Sequence, residues 1–485
     1  MQIEQTRPNI GVESQRGRSR RFTMDDQIRF AAVSGDWNPL HVDPLIARRT
    51  QFGRPLVHGV HLLMWALETC LEASAPASIV KLVCSFRAPV GLDEPSHCAI
   101  VRAADGSLRL SVTSRNVLCV SARVSLGPGR QPSAVIDRNP VRTPCEVVTA
   151  QTISTASGKV SADCFAQDTA ALFPNLCRLL PQDQLAFLFA ATRIVGMKCP
   201  GLHSVFSELT MEETPGAENL GSDLVWSVAD FDVRFGRASI SVAGARAKAV
   251  IAAAIRPAPQ AQPALADIAK YIAKGAFAGR RALVIGGSRG LGEVCAKLLA
   301  AGGADVRFTY HSGAEDAEIV ERDIRANGGA VAAFAYDVLS PPDSLAGVLG
   351  DWVPTHLYYF ATPPIVPGAR NAFSHDLFAG FCRYYVEGFY ACWSRVRALS
   401  KQPIAAFYPS TVYVEDIPPN LGEYAAAKSA GESVCRLIET SDAQTSVLIA
   451  RLPKLPTDQT LSLLQSDDAS DPADVLSGFL CLTAC

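Results

Sequence analysis

The chain has 485 residues, enough for about three domains of ordinary size. Its 48% hydrophobic and 19% charged residues supply cores rather than a disordered chain. Forty-five Lys and Arg against forty-seven Asp and Glu leave a formal charge of −2, which argues against a general binder of nucleic acid or anionic membrane. No run approaches the ~20 apolar residues of a membrane span. Fourteen cysteines are scattered without a CxxC pair. Most sit among apolar neighbours, so they are expected as buried thiols in a reducing compartment, with no metal site. No apolar signal-peptide core follows Met1, so a cytoplasmic location is expected. The basic cluster Arg16, Arg18, Arg20 and Arg21 is expected as a flexible lead-in.

In chain order, the first block opens with a helix over Met24 to Ser34, a Gly/Pro turn, and a second helical stretch from His58 to Glu72. Strand patterns follow at Ile79 to Phe86, Cys98 to Ala103, Leu108 to Ser114 and Cys119 to Leu126. One long helix followed by antiparallel strands predicts a sheet wrapped around a helix. A Pro- and Gly-containing stretch from Gly127 to Thr143 reads as a linker. The middle block repeats the order. Its helix is expected over Leu185 to Val195, with strands at Val205 to Leu209, Leu224 to Val228, Phe231 to Phe235, Ala238 to Val242 and Ala249 to Ile255. The run Arg256-Pro-Ala-Pro-Gln-Ala-Gln-Pro263 suits an extended connector. After it, strand and helix signals alternate to the end, as in a parallel α/β sheet.

The first block carries Ser34-Gly35-Asp36-Trp37-Asn38-Pro39-Leu40-His41. A carboxylate and an imidazole five positions apart across a Gly/Pro turn can converge on one water. Each acid/base group contributes roughly 10²–10⁴ in rate. Alone, Asp36 is equally able to cap a helix and His41 to be an ordinary partly buried histidine. Downstream, Val57-His58-Gly59 places a glycine at a helix start, where free N–H groups can face a developing negative charge. The string from Phe22-Thr23 through Asp43 to His58-Gly59, with Phe86-Arg87-Ala88-Pro89-Val90, resembles the MaoC-like (R)-specific enoyl-thioester hydratases of the hotdog fold. The resemblance implies a hotdog domain over residues 20–127, Asp36 and His41 as catalytic dyad, Asn38 as support and Gly59 as oxyanion donor. Residues 145–255 look like a second hotdog copy without the dyad string. Its segment Gly196 to Phe206 is similar to the family's entry into the strands, and His203 is expected to be structural. A double hotdog, one half reacting and the other widening the acyl cleft, is the implied α+β fold.

In the last block, Ile285-Gly286-Gly287-Ser288-Arg289-Gly290-Leu291-Gly292 follows a strand and precedes a helix. Such glycines let the backbone approach a pyrophosphate at a helix N-terminus. Tyr424-Ala-Ala-Ala-Lys428 puts an ammonium beside a phenol on one helix face, which would lower the phenol's pKa. With Asp337-Val338 after the third strand, these motifs resemble the short-chain dehydrogenase/reductase family. The resemblance implies a Rossmann fold with a parallel sheet over residues 276–485, after a linker at 256–275. It makes Tyr424 the general acid, Lys428 its partner and a ribose ligand, and Ser410 or Thr411 the hydroxyl that orients a carbonyl. Gly286, Ser288, Arg289, Gly290, Leu291, Gly292, Asp337 and Val338 become cofactor contacts. No Asp follows the second strand, and Arg289 can pair with a 2′-phosphate, so NADPH is expected over NADH. The chain departs from the family at Ile285, at Phe360-Ala361-Thr362 and at Tyr385, so its proton relay is altered.

The two resemblances together imply reduction of a 3-oxoacyl thioester and dehydration or hydration at the neighbouring carbons. Coenzyme A and acyl-carrier protein are both open as carriers, in fatty-acid or polyketide-type metabolism. The alternative is a hydratase/dehydratase whose last block is a nucleotide-binding scaffold or acts on another carbonyl. Both families usually pair through their faces, so a homo-oligomer is expected. The apolar terminal segment, Ala473 to Cys485, is a candidate for a subunit contact.

Overall fold

The structure is a computed structural model that describes residues 16–71, 75–132, 135–214, 221–341, 343–370, 372–460 and 470–483. The chain divides into two compact units. One holds residues 1–47 and 55–257, the other 48–54 and 258–485.

The first unit is built on a ten-stranded sheet. Its strands are β1 (Arg16–Arg20), β2 (Ala77–Phe86), β3 (Ser96–Arg102), β4 (Leu108–Ser114), β5 (Val117–Pro128), β6 (Ser157–Ser161), β7 (Ser204–Glu213), β8 (Asp223–Asp232), β9 (Arg237–Ala243) and β10 (Ala247–Ile255). They lie in the order β1-β3-β4-β5-β2-β7-β10-β9-β8-β6. Read inward from either edge, the order is the same: an edge strand, three meander strands, then the strand that follows the block's long helix. The two halves join antiparallel, with Leu82 opposite Met211 and Cys84 opposite Leu209. The alternating strands turn one face to the helices Gly59–Cys70 and Gln182–Arg193. Val60, Leu63, Leu67, Leu185, Leu188 and Phe189 are fully buried with inward strand residues such as Leu82, Val112, Ile240 and Ile251. Burying such side chains stabilises the fold by about 1.5–3 kcal/mol each.

Several expectations are corrected. The lead-in is ordered: Arg16–Arg20 pairs antiparallel with β3, and Arg20 binds Asp26 at 2.6 Å. An edge strand tolerates such charges because one side faces solvent. The runs at Leu224 and Phe231 form one strand, β8, bulged between Val228 and Asp230. It ends before a turn at Gly236, whose φ is +57°. The stretch after Gly127 lies partly within β5, and Pro140 is buried against Gly35. Glu72, the expected end of the second helix, lies outside the described residues.

In the second unit, β11 (Arg281–Ile285), β12 (Asp305–Tyr310), β13 (Val331–Ala335), β14 (His356–Tyr359), β15 (Ile404–Thr411) and β16 (Thr445–Leu452) form a parallel sheet. Its order is β13-β12-β11-β14-β15-β16, the doubly wound order of a Rossmann fold. Short apolar strands suit a sheet covered on both faces, and a core lies on each. The expected linker at 256–275 is only partly one. Leu265, Ile268 and Ile272 are buried in this unit's core, and so is Phe277 just beyond. The terminal helix Pro472–Leu480 buries Ala473, Leu476 and Leu480 there as well. Its apolar face is thus covered within the unit rather than left for a subunit contact; Cys485 lies outside the described residues. Among the described residues no helix is long and apolar enough to cross a membrane, and every cysteine is a free thiol.

Candidate active sites

The first site begins with a helix end. Thr23 caps Met24–Ser34 in a reciprocal capping box with Asp26, and Gly35 closes it at φ +75°. The chain then reverses, so that Asp36 and Asn38 are both buried and His41 lies half-buried at the edge. Asn38 caps the next short turn, its Oδ1 accepting the Leu40 N–H at 3.0 Å. Its amide donates to the carbonyls of Gly196 and Gly201 at 2.9 and 3.1 Å. Asn38 therefore ties the loop to the middle block.

Asp36 and His41 meet. Atoms of their side chains and of His58 able to hold a metal lie within 4.8 Å of one another. The Nδ1–H of His41 donates to the Leu56 carbonyl at 2.9 Å, since a carbonyl only accepts, which leaves Nε2 as the basic lone pair. Burial pushes the His41 pKa down, against the attraction of Asp36. Burial pushes the Asp36 pKa up, against His41 and the hydrogen bond from Thr192. The two shifts bring the carboxylate and the imidazole closer in basicity, which suits a pair that exchanges a proton with a shared water. His58 stacks on His41 with ring centroids 3.8 Å apart. It donates from Nε2 to the Asp36 carbonyl at 3.0 Å, and its Nδ1 lies 2.9 Å from Gln27 Oε1. With those nitrogens engaged, the trio has few atoms left for a metal. Gly59 opens the long helix as expected, and a Cβ there would lie 2.8 Å from the Phe86 ring.

Two contacts come from the middle block and carry no signal in the sequence. Thr192 Oγ1 donates to Asp36 Oδ2 at 2.6 Å. Gly196 packs on the same carboxylate so closely that a Cβ would lie 2.1 Å from Oδ1. Gly196→Ala must therefore displace Asp36. We expect it to lower any acid/base turnover at this pair by at least the ~10² of a misplaced group, with a far-UV circular dichroism spectrum like that of the parent.

The second site lies at the C-terminal ends of the parallel strands. Gly286 and Gly290 have φ of +80° and +56°, and a Cβ on Gly292 would lie 2.1 Å from the Gly286 carbonyl. The loop is held against β12 by the Gly286 N–H on Thr309 Oγ1 and the Gly287 N–H on the Thr309 carbonyl. A tight glycine turn entering the helix Gly290–Ala301 fits the pyrophosphate of a dinucleotide. Arg289, the residue expected to choose the nucleotide, fits less well. Arg289 is paired with Asp458 at 2.5 Å, so its charge is already matched. Asp337 follows β13 and accepts the Leu339 N–H at 2.9 Å, with Val338 buried beside it.

The Tyr424–Lys428 expectation needs a larger correction. Lys428 does not depress the Tyr424 pKa. Its ammonium donates to the Pro409 carbonyl at 2.6 Å and lies 4.0 Å from the ring centre of Tyr385. Burial lifts the Tyr424 phenol to about 12, against its hydrogen bond with Thr411. Burial also lowers Lys428 to about 7. Of the two candidate hydroxyls, Thr411 reaches the phenol, whereas Ser410 donates to Glu432 at 2.7 Å. Tyr385 lies in a π-helical turn, Arg383–Gly388, with its hydroxyl 2.5 Å from that of Thr362. Ile285 is fully buried, and Phe360 stacks on Phe407.

Residues 5–116 match the family model of the MaoC-like domain. The (R)-specific enoyl-CoA hydratase of Aeromonas caviae is 52% identical over 44 residues, 9% of this chain and 33% of that protein. A mitochondrial 3-hydroxyacyl-[acyl-carrier-protein] dehydratase of Arabidopsis thaliana is 40% identical over 73 residues, 15% of this chain and 43% of that protein. The chain thus spans less than half the length of either relative. A short-chain dehydrogenase from Burkholderia cenocepacia, solved with NADP, is 23% identical, with 42% of this chain and 90% of that chain covered and a TM-score of 0.37. The Rossmann assignment rests instead on the strand order of the second unit. The stretch 5–116 is thus similar to a MaoC-like domain, and a parallel sheet of Rossmann topology follows later in the chain.

Proposed function

We propose that the chain is a two-site enzyme acting on the β-carbon of acyl thioesters, carried on coenzyme A or on acyl-carrier protein. The first unit is read as a double hotdog whose Asp36 and His41 hydrate an enoyl thioester or dehydrate the (R)-3-hydroxy form. The observation that carries this reading is the buried Asp36 brought close to His41, whose Nδ1 is held by the Leu56 carbonyl, with Asn38, Thr192 and Gly196 fixing the place of the carboxylate. The pair removes a proton from a shared water as its hydroxyl bonds to C3, and returns one proton to C2. Gly59 is the proposed donor to the thioester oxygen.

The second unit is read as a reductase of 3-oxoacyl thioesters. Gly286, Ser288, Arg289, Gly290, Leu291, Gly292, Asp337, Val338, Tyr424 and Lys428 would hold a nicotinamide dinucleotide, NADPH by preference. That group supplies hydride when bound. Tyr424 donates the proton to the carbonyl oxygen, which Thr411 orients beside it. Because Lys428 loses its charge as pH rises through about 7, NADPH binding should weaken over that interval, as followed by Trp fluorescence. Unchanged affinity from pH 6 to pH 8 would count against Lys428 as a charged ribose ligand.

A second reading keeps only the hydratase. The ion pair of Arg289 with Asp458, and the distance-consuming contacts of Lys428 with Pro409 and Tyr385, favour a scaffold role for the second unit. Absorbance of crotonyl-CoA and consumption of NADPH with acetoacetyl-CoA, measured on one preparation, separate the two. Loss of enoyl absorbance without NADPH oxidation leaves the hydratase alone; neither change rejects both.

A further inference from the structure

Arg256, which the sequence places at the start of a connector, is buried at 3% exposure. Its backbone N–H donates to the His203 carbonyl at 2.7 Å, and its Nη2 donates to the Leu202 carbonyl at 2.8 Å. Nε and Nη1 are buried and meet no acceptor. Among the described residues no carboxylate pairs with this guanidinium. A buried cation without a counter-charge is strongly destabilising, and truncating its neighbours does not relieve it. A mere strut to the Leu202 carbonyl needs one neutral N–H, not a charge.

The location points to a ligand. Leu202 O lies 3.5 Å from Asn38 Nδ2, so Arg256 stands one carbonyl away from the loop that carries Asp36 and His41. Its charge acts on His41 and on Cys145, which also feels Asp36. His203 Nδ1, beside Arg256, is likewise buried without a partner. His41 and His203 are both only half-buried, so the cluster borders accessible surface. We propose that Arg256, with His203, binds a carboxylate borne by the acyl chain, next to the carbons that react at Asp36 and His41. This deepens the hydratase reading and rests on it. The site therefore takes half-thioesters of dicarboxylic acids in preference to plain alkyl chains. The carrier's phosphates lie a whole pantetheine arm from the thioester, so they are the less suitable anion.

The test compares butyryl-CoA with succinyl-CoA, in which a carboxylate replaces the terminal methyl and neither acyl chain is unsaturated. Titration calorimetry on the full chain should show succinyl-CoA bound at least tenfold tighter. Arg256→Gln should erase that preference and leave butyryl-CoA within twofold, while Arg256→Lys keeps part of it. Equal binding of both thioesters by the parent chain overturns the proposal, whatever the variants' folding. So does a preference that survives Arg256→Gln. A loss equal for both coenzyme A thioesters, and absent with N-acetylcysteamine thioesters, assigns Arg256 to the carrier and also overturns it. The parent chain is assayed in parallel for hydration of crotonyl-CoA and of the coenzyme A half-thioester of fumaric acid. No turnover of either, with the succinyl preference intact, sinks the hydratase reading but keeps the anion site.

Discussion

Asp36→Asn is expected to lower hydration of crotonyl-CoA by about 10²–10⁴-fold, the usual contribution of an acid/base group. The carboxylate is 2% exposed and sits between two donors, the Asn38 N–H on Oδ1 and the Thr192 hydroxyl on Oδ2. An amide fills the same volume and keeps an acceptor on one side, so the loop should hold its shape. What is lost is the exchangeable proton. Stability gives an independent check. Burial raises the Asp36 pKa in the folded chain, so its contribution to stability is full below the unfolded pKa and falls as pH rises towards the folded one. The neutral amide escapes that fall. The Tm of Asp36→Asn at pH 8 should therefore equal or exceed the parent's, and a variant that is inactive because it is unfolded would show the reverse. Reduction of acetoacetyl-CoA should be unaffected.

Tyr424→Phe should have the mirror effect. The phenol is the proposed proton donor of the second site, hydrogen-bonded to Thr411 and packed edge-on against Phe381 and Tyr385. Removing only its hydroxyl leaves that aromatic packing in place. NADPH-dependent reduction should fall by about 10²–10⁴-fold, with NADPH affinity and crotonyl-CoA hydration retained. Equal reduction rates in parent and variant would place the proton source elsewhere, or assign the turnover to a contaminant. The raised phenol pKa keeps the proton on Tyr424 across the accessible range. The rate of the parent should therefore show no limb from Tyr424 ionisation below pH 10.

The parts of the sites that lie close in sequence were legible before the fold. The turn Ser34 to His41 specifies Asp36 and His41 through local chemistry: a left-handed glycine, an asparagine cap and a proline at the first position of the next turn. The glycine loop and the helix bearing Tyr424 are similarly local. The partners that tune these groups are not. Thr192 and Gly196 come from the middle block, more than 150 positions from Asp36, and Arg256 from the start of the connector beyond it. Each looks ordinary in its own window: a threonine near a helix end, a glycine in a loop, an arginine before prolines. The pairing of β2 with β7 sets the two blocks side by side, with Thr192 and Gly196 on the carboxylate and Arg256 near the loop that bears it. The motif Tyr-x-x-x-Lys was legible as spacing but misleading as electrostatics. The Tyr385 ring draws the Lys428 ammonium. In the same way the sequence leaves Arg289 open to a 2′-phosphate, because Asp458, its partner, lies 169 positions away.

On the proposed function, two sites on one chain act in sequence on a single acyl thioester. Product analysis after incubating the full chain with acetoacetyl-CoA and NADPH tests it most directly. The parent should yield (R)-3-hydroxybutyryl-CoA together with crotonyl-CoA, and Asp36→Asn should stop at (R)-3-hydroxybutyryl-CoA. Crotonyl-CoA formed by Asp36→Asn at the parent's rate, or no product from the parent at all, would contradict it.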